Sequence, residues 1–166
     1  MKLKRGLLIV LALLMLLLTA CGESVAAVTE LVQANEPDVH TDADLPEYGE
    51  YYYDLENVVL YLELYGELPD NYITKREAQA LGWTGGSVEK YKDGAAIGGD
   101  TFGNREGLLP KASGRSYTEC DIDTDGYGSR GSRRLVFSSD GLYFYTADHY
   151  ESFDEVTVTD DYGVIW

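Results

Sequence analysis

Residues 54–69 read DLENVVLYLELYGELP and contain one helix together with its start and stop signals. Asp54 suits the N-cap position, because its carboxylate can accept a free backbone N–H of the first turn. Apolar side chains then recur on one helical face, at positions 55, 58, 59, 62 and 65. Gly66 suits the C-cap, and Pro69 cannot extend a helix. The stretch therefore predicts an amphipathic helix that buries one face against another layer of the fold.

A second helix is predicted just downstream, and it begins with a capping box. Thr74 and Glu77 occupy the two capping positions, so this helix starts at Lys75 and ends at Gly82. A short third helix is expected near Val88–Tyr91. The helices thus fall in the N-terminal half of the region that folds.

From residue 95 onward the pattern changes to short β-like runs separated by glycines and turn residues. Five strands are predicted, at 96–101, 116–122, 133–137, 142–146 and 153–158. Turns are expected at 125–128 and 139–141. Helices followed by strands, without alternation between them, predict an α+β fold in which N-terminal helices pack on a C-terminal antiparallel β-sheet.

The first twenty residues have the features of an export signal. A basic start precedes an apolar run at 6–18 that is too short to span a membrane comfortably. The run ends in Leu18-Thr-Ala-Cys21, which resembles a bacterial lipoprotein signal, with cleavage before Cys21 and lipid attached to its thiol. The alternative is an ordinary secretory signal followed by a coincidental cysteine. In both cases we expect export, either lipid-anchored on the outer face of the bacterial cell membrane or extracellular.

The chain is strongly acidic, with 29 Asp and Glu against 13 Lys and Arg and a formal net charge of −16. A large basic surface that holds nucleic acid regardless of its sequence is therefore not expected. The stretch 21–52 has no Lys or Arg and few large apolar residues, so we interpret it as a solvated tether. The predicted organisation is a lipoprotein signal peptide at 1–20, an acidic tether at 21–52, a folded domain at 53–157 and a C-terminal extension at 158–166.

The two cysteines do not predict a disulfide scaffold. If Cys21 carries lipid, Cys120 has no partner in the chain. Cys120 lies in a predicted strand and is expected to be a small buried hydrophobe. A catalytic thiol is the alternative, but no His or Asn is obviously placed to activate it.

The C-terminal part of the chain combines one carboxylate, one imidazole and several guanidiniums. Glu119 lies in a predicted strand, His149 follows later, and Arg130, Arg133 and Arg134 lie between them. A base, an acid and cations for the charge that develops on phosphorus suit metal-free cleavage of a phosphodiester. The alternatives are a glutamate that is merely solvated and a core histidine paired with the aspartate that precedes it.

Six runs spread over about 53–157 carry a more specific signal. They are LPDNYITK (68–75), EAQALGW (77–83), IGGD (97–100), NREG (104–107), SGR (113–115) and DHY (148–150). In content and order these runs closely resemble the barnase and binase family of secreted bacterial guanyl-preferring ribonucleases. The resemblance implies the microbial ribonuclease fold and cleavage of single-stranded RNA 3′ of guanosine.

The resemblance also implies a role for each residue of the catalytic centre. Glu119 matches the general base that takes the proton of the ribose 2′-OH, and His149 matches the general acid that protonates the leaving 5′-oxygen. Lys75, Arg130 and Arg134 match the cations that hold the phosphate. The implied product is a 2′,3′-cyclic phosphate, and neither a metal nor another cofactor is expected.

Guanine selection is implied for the loop that begins at Phe102. Glu106 can accept two hydrogen bonds from guanine N1 and N2, a pair of donors that adenine lacks. Tyr150 is expected to stack on the base, and Asp100 matches a carboxylate close to the active site. The implied substrate-binding set is Phe102, Asn104, Arg105, Glu106, Tyr150 and Asp100. Arg115 and Asp140 match a buried structural ion pair of the family.

The sequence departs from this family in charge and in places within the motifs. The family's surface is usually basic, whereas this domain is acidic, so weaker binding of long RNA is expected. Gly103 replaces a serine of the guanine loop, and Arg133 replaces an acidic residue. A protein inhibitor of the barstar type is an implied partner, and the enzyme is expected to be monomeric.

Two other functions stay open at this stage. One is a catalytically silent lipoprotein that uses the same fold as a binding module, although a retired enzyme should have lost its acid or base. The other is cleavage of a different phosphodiester such as DNA, which is disfavoured because DNA has no 2′-OH and no metal site is evident.

Overall fold

The first helix forms as its caps predict. The computed structural model describes residues 45–124 and 128–166, and in it helix α1 spans Leu55–Tyr65. The Asp54 carboxylate accepts the N–H of Asn57 (2.9 Å), and Gly66 ends the helix with a φ of 74°. The predicted apolar face is buried against the sheet, except that Tyr65 stays partly exposed.

The second helix, α2, spans Lys75–Ala80 and confirms the predicted start. The Thr74 hydroxyl accepts the N–H of Glu77 (3.2 Å), while the Glu77 carboxylate accepts the N–H of Thr74 (2.8 Å). This reciprocal pair satisfies two otherwise free donors of the first turn. The capping box thereby fixes where Lys75 stands relative to the sheet.

The predicted helix near Val88–Tyr91 is wrong, because these residues form turns. The Ser87 hydroxyl accepts the N–H of Glu89 (3.3 Å), and the Glu89 carboxylate accepts the N–H of Gly94 (2.9 Å). The N–H groups of Tyr91 and Lys92 both donate to the Val88 carbonyl (2.8 and 3.2 Å), which closes one turn without extending it into a helix. The segment packs instead through Val88, which is buried with Trp83.

Seven strands form one sheet in the order β1 to β7. All neighbouring pairs are antiparallel except β1 and β2, which run parallel. This arrangement confirms the α+β class and the five predicted strands, and it adds β1 and β7, which were not predicted. The strands are β1 (Tyr72–Ile73), β2 (Ala96–Phe102), β3 (Tyr117–Asp121), β4 (Arg134–Ser138), β5 (Tyr143–Thr146), β6 (Asp154–Val158) and β7 (Val164–Ile165).

The two faces of the sheet pack into different cores, because alternate residues of a strand point to opposite sides. One face packs against α1, and Cys120 and Leu135 lie in that core. The opposite face carries Tyr117 and Val136 in a smaller core. Glu119 shares this second face with Tyr117, two residues away in β3. Such burial is worth about 1.5–3 kcal/mol for each large apolar side chain.

A β-bulge in β2 decides which way Asp100 points. Gly98 pairs with Cys120, but Asp100 pairs with Glu119, so the intervening Gly99 is an extra residue. Gly99 has a φ of 89°, a left-handed conformation that glycine adopts without strain. The extra residue shifts Asp100 to the same side of the sheet as Glu119. Without it, regular alternation would turn the Asp100 carboxylate away.

The segments that flank the domain also pack on it. Tyr48 stacks on the buried Tyr61, with ring centroids 6.2 Å apart, and the hydroxyl of Tyr61 accepts the N–H of Gly49 (3.0 Å). At the other end, Val164 of β7 contacts the main core. The extension at 158–166 therefore adds an edge strand to the sheet.

Three sequence predictions concern residues that the structure does not describe. They are the signal peptide with Cys21, most of the acidic tether, and the part of the predicted 125–128 turn that falls at 125–127. Across 45–124 and 128–166, no helix is long and apolar enough to cross a membrane. The predicted turn at 139–141 is confirmed.

Candidate active site

Glu119 is the centre of the site, and both of its carboxylate oxygens are occupied. The residue is only 8% exposed. Oε1 forms an ion pair with the Lys75 ammonium, and Oε2 accepts a hydrogen bond from the Tyr150 hydroxyl (2.7 Å). The alternative of a merely solvated Glu119 is therefore wrong. A buried carboxylate with two charge-compensating donors is held in one orientation, as a positioned proton acceptor must be.

Lys75 reaches this carboxylate from the first turn of α2. Its backbone N–H donates to Asp100 Oδ2 (2.8 Å), so the carboxylate that the β2 bulge turned inward anchors the start of the helix. The Lys75 side chain is still 38% exposed, which leaves the ammonium open to a bound anion. The Asp100 carboxylate thus positions the backbone of Lys75.

Asp121 holds two of the predicted cations and was missed by sequence reasoning. It is 1% exposed, and it accepts two hydrogen bonds from Arg130, at 2.7 Å each. Nε of Arg134 lies 2.9 Å from the other side of the same carboxylate. The alternation of β3 was an available signal, because Asp121 stands two residues after Glu119 and shares its face.

The two arginines are further fixed by their surroundings. The Arg134 guanidinium donates to the carbonyl oxygens of Arg130, Gly131 and Arg133, at 3.2, 3.1 and 2.6 Å. The Arg130 guanidinium lies 5.7 Å from the Trp83 ring centroid. Burial lowers the pKa of Arg130, but its hydrogen bonds to the Asp121 carboxylate outweigh this, so the pKa ends up raised. The Arg130 guanidinium therefore stays charged.

Arg133 does not join this cluster. Its guanidinium pairs with Asp123 at 2.5 Å, and both side chains are substantially exposed. Arg133 precedes the first residue of β4 and so points to the other side from Arg134. The cation set of the site is therefore Lys75, Arg130 and Arg134.

His149 is exposed, so the alternative of a core histidine is wrong. Its backbone has a φ of 61° and its N–H donates to the carbonyl of Ser132 (3.2 Å). The imidazole lies 4.8 Å from the Tyr150 ring, centroid to centroid. Tyr150 thus contacts both groups, since its hydroxyl bonds to Glu119 and its ring lies beside the imidazole.

The turn that presents His149 is tied by Asp148. This carboxylate accepts hydrogen bonds from the Ser152 hydroxyl (2.6 Å) and the Ser152 N–H (3.0 Å), and also from Thr146 (2.8 Å). The Ser152 side chain and backbone bonds, followed by the Thr146 hydroxyl, lower the pKa of Asp148 to about 2. Asp148 serves the backbone of the turn, not the imidazole.

Burial and the contact with Glu119 both affect the Tyr150 phenol. Burial, followed by the hydrogen bond to the Glu119 carboxylate, raises the pKa of Tyr150 above its usual range. The phenol therefore stays protonated at neutral pH and remains a hydrogen-bond donor. Its ring packs against Phe102, with centroids 5.3 Å apart, which brings one member of the predicted guanine loop to the site.

The rest of that loop divides into a structural and an exposed part. Asn104 has a φ of 42° and is buried; its side-chain amide donates to the Leu109 carbonyl (2.9 Å) and accepts the Leu109 N–H (3.1 Å). These bonds close the loop on itself. Arg105 and Glu106 are exposed at its tip. The loop geometry therefore presents the Glu106 carboxylate to solvent, while Asn104 holds the backbone.

The structure also tests the predictions for the Arg115–Asp140 ion pair and for Cys120. Asp140 pairs with Arg115 at 2.7 Å, but the expected burial of this pair is wrong for the aspartate, which is 47% exposed. Cys120 is a buried free cysteine, as expected, and burial raises the pKa of its thiol well above the usual value. A catalytic thiolate at Cys120 is therefore disfavoured. Among the described residues, no group of three His, Cys, Asp or Glu could hold a metal ion.

Comparison with known proteins gives one family and several relatives. The family model for ribonuclease matches residues 55–157. The ribonuclease of Bacillus intermedius is 46% identical over 121 residues, which cover 72% of this chain and 70% of that protein. The ribonuclease of Heyndrickxia coagulans is 50% identical over 103 residues, which cover 61% of this chain and 94% of that protein. Guanyl-specific ribonuclease St of Saccharopolyspora erythraea is 49% identical over 55 residues, covering 33% and 54%.

Proposed function

This chain belongs to the barnase/binase-like ribonuclease family, and we propose that it is a guanyl-preferring endoribonuclease that cleaves single-stranded RNA 3′ of guanosine. The observation that carries the proposal is the buried Glu119 carboxylate held between Lys75 and Tyr150, with an exposed His149 beside the same tyrosine. Such a pair supplies a fixed proton acceptor and an accessible proton donor.

The chemistry follows from these two groups. Glu119 takes the proton of the ribose 2′-OH as the 2′-oxygen forms a bond to phosphorus. The bond from phosphorus to the 5′-oxygen breaks, and His149 in its protonated form gives that oxygen a proton. The products are a 2′,3′-cyclic phosphate and a free 5′-OH, and water can later open the cyclic phosphate.

Lys75, Arg130 and Arg134 supply the positive charge for this step. Negative charge grows on the phosphoryl oxygens as the 2′-oxygen attacks, and cations that are already in place stabilise it without reorganisation. Arg130 and Arg134 meet this condition because Asp121 fixes both. No metal is required in this scheme, because the nucleophile belongs to the substrate and its proton acceptor is a side chain.

Preference for guanine is assigned to the loop from Phe102 to Glu106. Asn104 holds the loop closed, so the Glu106 carboxylate and nearby backbone N–H groups keep a fixed geometry. The carboxylate can accept hydrogen bonds from guanine N1 and N2 together. Phe102 and Tyr150 offer aromatic faces at the same place, and unstacked RNA bases commonly pack on such faces.

Cleavage of dinucleotides in EDTA tests the proposal. Purified protein is incubated with GpU and with ApU, and we expect a guanosine 2′,3′-cyclic phosphate from GpU at a much higher rate. Glu119→Ala and His149→Ala should each abolish most of the activity. Glu151→Ala and His40→Ala are matched controls of the same residue types and should keep it. If the folded wild-type protein cleaves nothing, the binding-module alternative is preferred; cleavage that requires a divalent cation contradicts the metal-free scheme.

We further propose that the enzyme works outside the cell, attached through lipid at Cys21. The support is the sequence alone: a short apolar run that ends at this cysteine, followed by an acidic tether. Cell fractionation tests the anchor. Wild-type protein should be in the membrane fraction and take up labelled fatty acid, whereas Cys21→Ser should do neither. Release of both proteins into the medium in equal amounts contradicts the lipid anchor.

A protein inhibitor of the barstar type is proposed as a cytoplasmic partner, because a ribonuclease endangers its producer before export. Inhibitors of this type are acidic, and the acidic domain here reduces long-range attraction to them. We therefore expect inhibition with slow association. An active enzyme that is not inhibited by barstar at micromolar concentration contradicts this partnership.

A further inference from the structure

A depression of about 580 Å³ lies beside the guanine loop and is lined by three cations. They are Arg105, Lys111 and Arg115. Among the described residues, no Asp or Glu lines this depression. The whole chain has only 13 basic residues against 29 acidic ones, so a basic surface of this kind is unusual for this domain. The guanine loop forms one wall of the depression through Phe102, Asn104 and Arg105, whereas none of the proposed catalytic side chains lines it.

Among the lining residues that the structure describes, Lys111 is the one cation that is neither paired nor already assigned to guanine, because Arg105 belongs to the implied guanine-binding set. Arg115 is committed to Asp140 through two hydrogen bonds of 2.8 and 2.7 Å, so its charge is largely compensated. The described residues include no ion-pair partner for Lys111. The Lys111 ammonium lies close to Gly107, the residue that follows the guanine loop. Its Nζ would be only 3.3 Å from a Cβ atom built on this glycine.

The backbone that carries Lys111 is held in place. The carbonyl of Pro110, the preceding residue, accepts hydrogen bonds from the Tyr117 hydroxyl (2.6 Å) and from Arg115 Nη1 (3.1 Å). Tyr117 is itself buried in β3. Two donors on one carbonyl fix the start of this loop, which lowers the entropy lost when a ligand meets Lys111.

The sheet register gives the distance from the catalytic centre. Phe102 pairs with Tyr117, and Asp100 pairs with Glu119, two residues earlier in β2. At about 3.4 Å for each residue, the depression begins roughly 7 Å along the sheet from Glu119. A flexible RNA strand can therefore occupy both places at once with neighbouring phosphates.

The direction of the RNA chain identifies which phosphate this is. In the proposed reaction the leaving nucleotide is on the side of His149, the general acid. The guanosine lies between Glu119 and the loop that reads its base. We take its 5′ side to leave the reading loop past Gly107, where Lys111 Nζ lies.

We infer that the depression is a binding subsite for the 5′-phosphate of the selected guanosine, with Lys111 as its main ligand. This inference rests on the proposed function. It gives an acidic ribonuclease a local way to hold the strand upstream of the cleavage site, where a generally basic surface is missing. The ligand class is a phosphodiester or a terminal phosphate.

Two substrates that differ only in that phosphate test the inference. Cleavage of pGpU and GpU is compared for the wild type, Lys111→Met and the control Lys90→Met, which changes another exposed lysine. We expect wild-type kcat/KM to be roughly tenfold higher for pGpU, as one charge-assisted hydrogen bond implies. Lys111→Met should lose most of this advantage and cleave GpU at the wild-type rate, while Lys90→Met should keep it.

A binding measurement separates this inference from the proposed activity. Guanosine 3′,5′-bisphosphate and guanosine 3′-phosphate both place a phosphate at the catalytic centre, so tighter binding of the former reports the subsite alone. We expect a roughly tenfold difference that Lys111→Met removes. If this difference is present but GpU is not cleaved, the subsite stands and the proposed function fails.

Four results overturn the subsite. In the first, the wild type cleaves pGpU and GpU equally well and binds the bisphosphate and the 3′-phosphate equally tightly. In the second, Lys111→Met keeps the full wild-type preference for the ligands that carry a 5′-phosphate. An equal loss of GpU and pGpU cleavage in a folded Lys111→Met protein would place this lysine in base reading instead. A rate advantage for GpUp, with its phosphate on the downstream side, that disappears in Lys111→Met would assign the depression to the leaving strand.

Discussion

Replacing Asp121 by Asn should remove the group that holds Arg130 and Arg134. The carboxylate is 1% exposed and contacts Arg130 at 2.7 Å and Arg134 at 2.9 Å. Asn has nearly the same shape but no charge. Two guanidiniums would then remain in a largely buried place without their shared counter-ion.

The magnitude follows from the burial of this cluster. Removing one partner of a buried ion pair costs about 3–5 kcal/mol, because the remaining charge stays desolvated and uncompensated. Small domains are stable by only about 5–15 kcal/mol. Asp121→Asn should therefore remove a fifth or more of the free energy of unfolding. It should also reduce kcat strongly, since Arg130 and Arg134 lose their fixed positions at the phosphate.

Urea denaturation followed by tryptophan fluorescence measures the effect on stability, and GpU cleavage measures the effect on kcat. Asp140→Asn is the matched control, because this aspartate also pairs with an arginine but is 47% exposed. Exposed pairs contribute little, so the control should lose far less stability. If Asp121→Asn loses no more stability than Asp140→Asn, or keeps wild-type kcat, the proposed role of Asp121 in holding the two arginines is wrong.

Three further outcomes are expected. Tyr150→Phe removes the hydroxyl that bonds to Glu119, so kcat/KM for GpU should fall about tenfold; an unchanged rate contradicts a role for this bond. Glu106→Gln places an amide opposite guanine N1 and N2, so the ratio of GpU to ApU cleavage should fall by about 100-fold; a constant ratio means that the base is read elsewhere. The lowered pKa of Asp148, about 2, makes its stabilising effect present above about pH 4 and lost as pH falls towards 2. Asp148→Asn should therefore lose less stability than the wild type over this range in urea titrations, and parallel curves would contradict the linkage.

Much of the fold could be predicted because its signals are local. Asp54, Gly66 and the capping box at Thr74 act within one turn of their own helix, and the structure confirms each. The five longer strands were found from their alternation and flanking turns. Strands β1 and β7 were missed because two residues carry no periodicity. The prediction of a helix near Val88 was wrong because this segment closes only one turn, at the Val88 carbonyl.

For the candidate site, too, local sequence signals predicted some features and not others. Lys75 and His149 were named from recognisable runs and Glu119 from a predicted strand, and their roles remain predictions. The sequence did not reveal that Asn104 would be used to close the loop, because its partner is a backbone carbonyl and N–H at Leu109. Asp121 was passed over among the many acidic residues, although strand alternation places it on the same face as Glu119.

By itself, the sequence of this protein determined the helix boundaries, the order of helices before strands, and the set of residue types available for catalysis. These depend on side-chain periodicity and capping, which act over a few residues. Only the tertiary structure decided which of those residues meet. The Gly99 bulge turns Asp100 towards the backbone N–H of Lys75, β3 brings Glu119 to the Lys75 ammonium, and one carboxylate at Asp121 gathers two arginines. Contacts between such distant positions depend on strand register and on the desolvation of charges, and neither is a property of any short stretch of sequence.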